Sequence, residues 1–289
     1  VAPGEFLKVG EMTYDVLGPG PLDYLPCRYD MSRLLFRGPK RNLNKPYLAF
    51  IGSNETYGKF IAEPFPALVE NVLGITCANF GQMNAGVDVF CQDKSILQAA
   101  SRARVTVIQV LGAQNMTNRF YTVHPRRNDR FVAASSTLKS IYREVDFSDF
   151  HFTKHMISCL YRTSPKRFER VQQELQEAWV ARMRLMLRQI NGKSILLWFS
   201  DHAPEHECVL LAQGVGKDPL FVTRAMINEI RGDATQVVEV CASAQSLDTG
   251  TQGMFFNELE EPAAKEMLGP MAHQEAADAL VDALRRLQI

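Results

Sequence analysis

Three short apolar runs each stop at a polar cluster. Residues 47–51 (YLAFI) run into Gly52-Ser53-Asn54, and residues 75–78 into Asn79-Phe80-Gly81-Gln82-Met83-Asn84. Residues 105–111 (VTVIQVL) run into Gly112-Ala113-Gln114-Asn115. Runs this short, apolar and rich in β-branched residues predict buried strands of a parallel sheet. Between the first two strands (47–52 and 75–79), Pro64 and Pro66 open a helix with an apolar face of Leu68, Val69, Val72 and Leu73, and Gly74 suits its end. A helix over 87–101 leads to the third strand, 105–111. This β-α-β-α-β rhythm with short connections predicts a doubly wound sheet.

Residues 113–192 break the rhythm. A polar, aromatic loop is expected over 113–133, then helical segments at 135–144 and 149–162. A long helix over 165–190 is opened by Ser164-Pro165. Its apolar positions Phe168, Val171, Leu175, Trp179, Met183, Met186 and Leu187 step by three and four. So long a stretch between strands predicts a helical cap or a dimerisation arm. The sheet resumes at 194–199 (SILLWF), followed by a helix at 219–231, a strand at 236–241 and a final helix at 271–287. The expected fold is a three-layer α/β/α flavodoxin-like sandwich of about five parallel strands. A large helical insertion, 116–192, separates strands three and four. Residues 1–46, rich in Pro and Gly as at Gly18-Pro19-Gly20-Pro21, are expected to form an irregular arm on a single α/β domain spanning 47–289.

Bulk properties narrow the function classes. Lys plus Arg equals Asp plus Glu at 32 each, so bulk charge predicts neither a nucleic-acid nor a membrane partner. No stretch reaches the roughly 18 apolar residues of a membrane span. The first residues lack a basic, then apolar, leader pattern. The six cysteines contain no CxxC pair, and Cys77 and Cys241 fall in strands expected to be buried. A reducing, cytoplasmic setting is the expectation.

In open α/β sheets, ligands sit beyond the carboxyl ends of the strands. Ser53 there can act as a nucleophile or simply begin a helix. Gly81 offers a backbone N–H free to approach a ligand, or an ordinary turn. Asn115 offers an amide donor for an oxyanion, or a loop cap. In this order the three resemble the SGNH/GDSL hydrolase superfamily, whose motifs match Gly52-Ser53, Asn79-x-Gly81 and Gly112-x-x-Asn115. Two departures stand out: Gly52 replaces the aspartate before the serine, and the third motif is one residue longer without its aspartate. Asn115-x-x-Asn118-Arg119-Phe120-Tyr121 and His124-Pro125-Arg126-Arg127-Asn128-Asp129 also resemble a bacterial family of this fold. The resemblance implies a serine hydrolase or acyltransferase acting on an ester, an acylated small molecule or a carbohydrate. Ser53 would attack, Gly81 and Asn115 would hold the oxyanion, and a histidine before the last helix would be the base.

That base is out of register. The family's Asp-x-x-His falls on Glu266-Met267-Leu268-Gly269, and His273 is the nearest histidine. His202, after strand four, is the substitute. Asp201, His202, His206 and Glu207, like His151 and His155, show H-x₃-H spacing, but Pro204 interrupts the first group and neither has an obvious third ligand. No metal and no cofactor is expected. Arg119, His124, Arg126, Arg127 and Arg130 form a basic stretch that, emerging beside Asn115, would overhang the pocket, where Asn84 and His202 are further binding candidates. It would bind an anionic group, or tie the insertion to the core. The alternative functions are therefore a degenerate member binding an anionic or sugar ligand, and an interaction protein using the long helix, with a homodimer as one form.

Overall fold

Along the first strand, β1 (Tyr47–Gly52), successive side chains enter two different cores, which fixes the layering of the molecule. Tyr47, Ala49 and Ile51 join one cluster, and Leu48 and Phe50 the other. This is the period of two expected of a strand buried on both faces. In the computed structural model, which describes residues 22–204 and 216–289, β1 is followed by the single turn α1 (Asn54–Tyr57) and by α2 (Phe65–Leu73). Next come β2 (Thr76–Gly81), α3 (Val87–Cys91), α4 (Lys94–Arg102) and β3 (Val105–Gln109). The segment before the next sheet strand holds β4 (Tyr121–His124), β5 (Arg127–Ala134), α5 (Ser136–Ile141), α6 (Thr153–Thr163) and the long α7 (Pro165–Gln189). The chain closes with β6 (Ser194–Ser200), α8 (Arg224–Ile230), β7 (Gln236–Cys241), α9 (Ala244–Asp248), α10 (Glu261–Ala264) and α11 (Pro270–Arg286). Residues Gly18 to Pro21, together with His206, Glu207 and Cys208, lie outside the described residues.

Five parallel strands pair in the order β2-β1-β3-β6-β7, the flavodoxin-like order anticipated from the pattern. One face carries α3, α4, α7 and α8, and the other carries α2 and α11. Strand order reverses between β1 and β3, so a crevice opens at their carboxyl ends.

The long helix is a buried crossover. Phe168, Val171, Leu175, Trp179, Met183, Met186 and Leu187 are all buried in the cluster shared with Ile108, Leu196 and Trp198 of the sheet. Trp179 Nε1–H donates to Leu111 O at 2.7 Å. Each such side chain contributes about 1.5–3 kcal/mol by leaving water, so this face is committed to its own sheet.

Four details differ from the sequence reading. The loop at 113–133 contains an antiparallel hairpin, β4–β5, in which Tyr121 and Val123 are buried and Thr122 is exposed. Four residues of alternation were too short to stand out from an aromatic loop. The helix at 87–101 is two helices, because the Asp93 carboxylate accepts the Ile96 N–H and starts a new one. The helix at 219–231 begins only at Arg224, after Phe221 in a left-handed conformation, φ 66°, and the Thr223 cap. Cys241 is exposed because β7 is an edge strand, whereas Cys77 is buried. Among the described residues, no helix is long and apolar enough to cross a membrane.

Candidate functional site

A cavity of about 630 Å³ lies beyond the carboxyl ends of β1, β3 and β6. Ser53, Asn84 and Asn115 all reach its wall, so the topology gathers three of the residues singled out in the sequence.

Ser53 leaves β1 directly and precedes α1, yet its hydroxyl does not cap that turn. Gln109, the one amide side chain inside VTVIQVL, takes that role. Its Oε1 accepts Ser53 N–H at 3.1 Å, Thr56 N–H at 3.2 Å and the Thr56 hydroxyl at 2.7 Å. A Cβ at Gly52 would collide with Thr56 Oγ1 and lie 2.5 Å from Gln109 Oε1. The missing side chain at Gly52 is therefore the space in which Gln109 does its capping. Ser53 Oγ, released from the cap, accepts Ala85 N–H at 3.1 Å.

Asn84 adopts a left-handed backbone, φ 55°, and exchanges hydrogen bonds with Asn54 at 2.8 and 3.2 Å. Asn115 donates from Nδ2 to Asn84 O at 3.4 Å, and its Oδ1 accepts the Thr153 hydroxyl at 2.6 Å. Buried Asn128 ties the β4–β5 hairpin to the same loop by accepting Gly86 and Val89 N–H at 3.2 and 3.0 Å.

Gly81 is elsewhere. It ends β2, its N–H is already satisfied by Asn79 Oδ1 at 2.8 Å, and it does not line the cavity. The backbone N–H that faces Ser53 at the cavity wall is that of Ala85, four residues later. No sequence signal marks this alanine, because it acts through its backbone.

None of the described imidazoles hydrogen-bonds Ser53. His273 is fully buried in the first turn of α11, and its Nδ1 accepts Phe65 N–H at 3.2 Å. Its Nε2 faces Glu55 Oε2 at 3.5 Å, and the ring is not part of the cavity wall. His202 Nδ1 lies 2.7 Å from Asp201 Oδ1 and 2.9 Å from Ser200 Oγ, also off the wall. His124 Nδ1 accepts Arg126 N–H at 3.3 Å, and His151 and His155 are exposed around the start of α6. Gly269, the position that matches the base of the SGNH/GDSL hydrolases the chain resembles, does line the cavity. A Cβ there would stand 2.8 Å from Gly250 O, so any side chain must displace the turn after α9.

The basic stretch does not overhang the cavity. Arg119 pairs with Glu174 and with Glu177 at 3.3 Å, tying the hairpin segment to α7. Arg126 and Arg127 are exposed at the hairpin tip, and Arg130 lies 4.1 Å over the Phe152 ring. Arg119, His124, Arg126, Arg127 and His202 all stand outside the wall. Of the expected binding residues, Asn84 reaches it.

The wall instead carries further amides and carboxylates: Gln109, Gln114, Glu55, Asp201 and Asp218. Gln114 Nε2 donates to Asp218 Oδ1 at 3.0 Å, while its buried Oε1 has no partner. Asp201 is held at about 2, below the ordinary aspartate value, chiefly by its hydrogen bond to His202 and further by Lys217, against the opposing effect of burial. Among the described residues there is no group of three His, Cys, Asp or Glu arranged to hold a metal ion.

Among solved structures, the chain is similar to an acetyl xylan esterase from the rumen bacterium Butyrivibrio proteoclasticus. The identity is 12%, over 88% of this chain and 67% of that one, with a TM-score of 0.42. It is also similar to a family two carbohydrate esterase from Clostridium thermocellum solved with cellohexaose, at 11% identity, the same two coverages and a TM-score of 0.45. A third is an acetylxylan esterase from Geobacillus stearothermophilus, at 13% identity over 82% of this chain and 93% of that one, with a TM-score of 0.40. No curated protein matches the sequence. Residues 12–288 match the family described as Domain of unknown function (DUF6473), and the chain belongs to that family.

Proposed function

We propose that this protein binds a small, hydroxyl-rich ligand of the sugar or polyol class in the cavity beyond β1, β3 and β6. In this reading Ser53 is a hydrogen-bonding group of the wall rather than an imidazole-activated nucleophile. The observation that carries it is the accounting of histidines: each described imidazole is engaged or exposed away from Ser53 Oγ. A serine hydroxyl without a base is a poor nucleophile at neutral pH. The wall chemistry supports the ligand class. Glu55, Asp201, Asp218 and Glu266 face Lys154, Lys217 and Lys265, so the cavity is not basic, and its amides suit hydroxyl groups. An anionic ligand held by Arg119, Arg126 and Arg127 is disfavoured, since those side chains stand off the wall.

The second reading is a serine hydrolase or acyltransferase. It is favoured by Ser53 standing at the cavity with Ala85 N–H on its Oγ and Asn115 nearby on the same wall. One pair of assays separates the two. The binding reading expects no fluorophosphonate label on Ser53 and equal turnover of p-nitrophenyl acetate by the wild type and Ser53→Ala. A labelled Ser53 whose replacement abolishes turnover overturns it in favour of the hydrolase.

A further inference from the structure

Glu55 and His273 meet where the cavity wall backs onto the apolar core. Glu55 lies on the wall, two residues after Ser53, with its side chain 15% exposed. His273 is 0% exposed, stacked on Phe65 at 5.9 Å and met edge-on by Phe199 at 5.4 Å. Because Nδ1 accepts Phe65 N–H, the neutral ring carries its proton on Nε2. That Nε2 has no hydrogen-bond partner, and the polar group it faces is Glu55 Oε2, 3.5 Å away.

The carboxylate is under-used. Asp201 pairs with Lys217, Glu266 faces Lys154 at 3.8 Å, and Asp218 accepts Gln114 Nε2–H and Leu220 N–H at 3.0 and 3.3 Å. Glu55 has no cation among the described residues apart from any charge on His273. Leu268 N–H donates to Glu55 Oε1 at 3.4 Å, and His273 Nε2 stands 3.5 Å from Glu55 Oε2. One hydrogen bond leaves acceptor capacity on a carboxylate that lines the cavity. A buried donor without a partner is costly, so a carboxylate drawn against it is favoured.

We propose that Glu55 is the ligand-anchoring carboxylate of this cavity, and that His273 is a positioning residue whose Nε2–H fixes that carboxylate to accept ligand hydroxyls. The anchoring role rests on the hydroxyl-rich ligand proposed above. His273 then serves the site without touching the ligand, and its buried Nε2–H has its function explained.

The test uses the full-length chain in two arms. In long-range ¹H–¹⁵N spectra, the His273 ring is expected to be protonated on Nε2, with its Nε2 resonance moved by Glu55→Gln. A proton on Nδ1, or a resonance that Glu55→Gln leaves unchanged, overturns the pairing. In the second arm, methyl β-D-glucopyranoside and methyl β-D-xylopyranoside are titrated. Glu55→Gln is expected to weaken binding about tenfold or more, the size of a lost hydrogen bond to a charged group. His273→Asn keeps an acceptor for Phe65 N–H but not the reach to Glu55, and should weaken binding similarly. His273→Gln keeps a donor at that reach, and should bind within about threefold of the wild type. Equal losses in both His273 variants mark a merely structural imidazole and overturn the positioning role. Wild-type protein that binds neither glycoside overturns the ligand class and the anchoring role together, whereas binding that Glu55→Gln leaves intact overturns the anchoring role alone.

Discussion

Ser53 and Glu55 are two residues apart in one turn, yet their corners of the cavity are built differently. Around Ser53 the contacts are hydrogen bonds: Gln109 takes its N–H, Ala85 N–H occupies its Oγ, and Asn54 and Asn84 clasp each other beside it. Around Glu55 the backing is apolar and the hydrogen bonding is incomplete. Phe65 and Phe199 wall in an imidazole whose Nε2 has Glu55 alone to face. The pair of residue types needed for serine hydrolysis is present, but serine and histidine belong to different corners. The histidine addresses a carboxylate. Proximity in the chain therefore says little about which side chains share a proton.

The strongest way to break the Ser53 corner is to introduce the aspartate that the SGNH/GDSL motif carries before its serine. Gly52→Asp would drive a charged side chain into Thr56 and Gln109 and should cost about 3 kcal/mol or more in urea unfolding. A variant as stable as the wild type would show that Gln109 is not confined there. Gln109→Leu removes one acceptor from three donors and should cost about 2 kcal/mol, read the same way. Gly269→His tests whether a base can be installed. Its Cβ must displace Gly250 O, so a loss of about 1–2 kcal/mol is expected with no gain in p-nitrophenyl acetate turnover. A gain accompanied by fluorophosphonate labelling of Ser53 would reunite the two corners.

The smallest effect belongs to a third part of the wall. Asp201, held at about 2, contributes stability that is complete above the unfolded-chain value near 3.8 and is lost as pH falls through about 2. Asp201→Asn should therefore cost about 1 kcal/mol at pH 7, after allowing for solvent screening. The gap to the wild type should close as unfolding is measured at successively lower pH below 4. A gap that widens on acidification would refute the assignment.

Much of the fold was legible because strand and helix signals are local. The runs at 47–52 and 194–199, the Ser164-Pro165 start and the Gly74 stop are written in neighbouring residues, and the structure agrees closely: β1 Tyr47–Gly52, β6 Ser194–Ser200, α7 Pro165–Gln189 and a left-handed Gly74. The β4–β5 hairpin was missed because its alternation is brief and its pairing is broken by register shifts at Thr122/Val123 and Val123/His124. The candidate site was less legible. Ser53 and Asn115 were found because they end strands, whereas Gly81 was assigned a role its own Asn79 prevents. Gln109 did carry a signal, as a lone amide within an apolar strand. Glu55 carried none, since a glutamate in a first helical turn is ordinary on any surface.

The sequence by itself determined the alternation of strands and helices and narrowed the strand order to a few. Alternating apolar runs with short crossovers admit few topologies, and the switch between β1 and β3 must open a crevice at their carboxyl ends. What only the tertiary structure decided is which groups share that crevice and in what state. Hydrogen bonds form between residues far apart in the chain, as between Phe65 and His273 or Ser53 and Gln109. A histidine's chemistry is fixed by what both of its nitrogens face. Phe65 N–H and Glu55 close those positions on His273, and no spacing in the sequence encodes that they would.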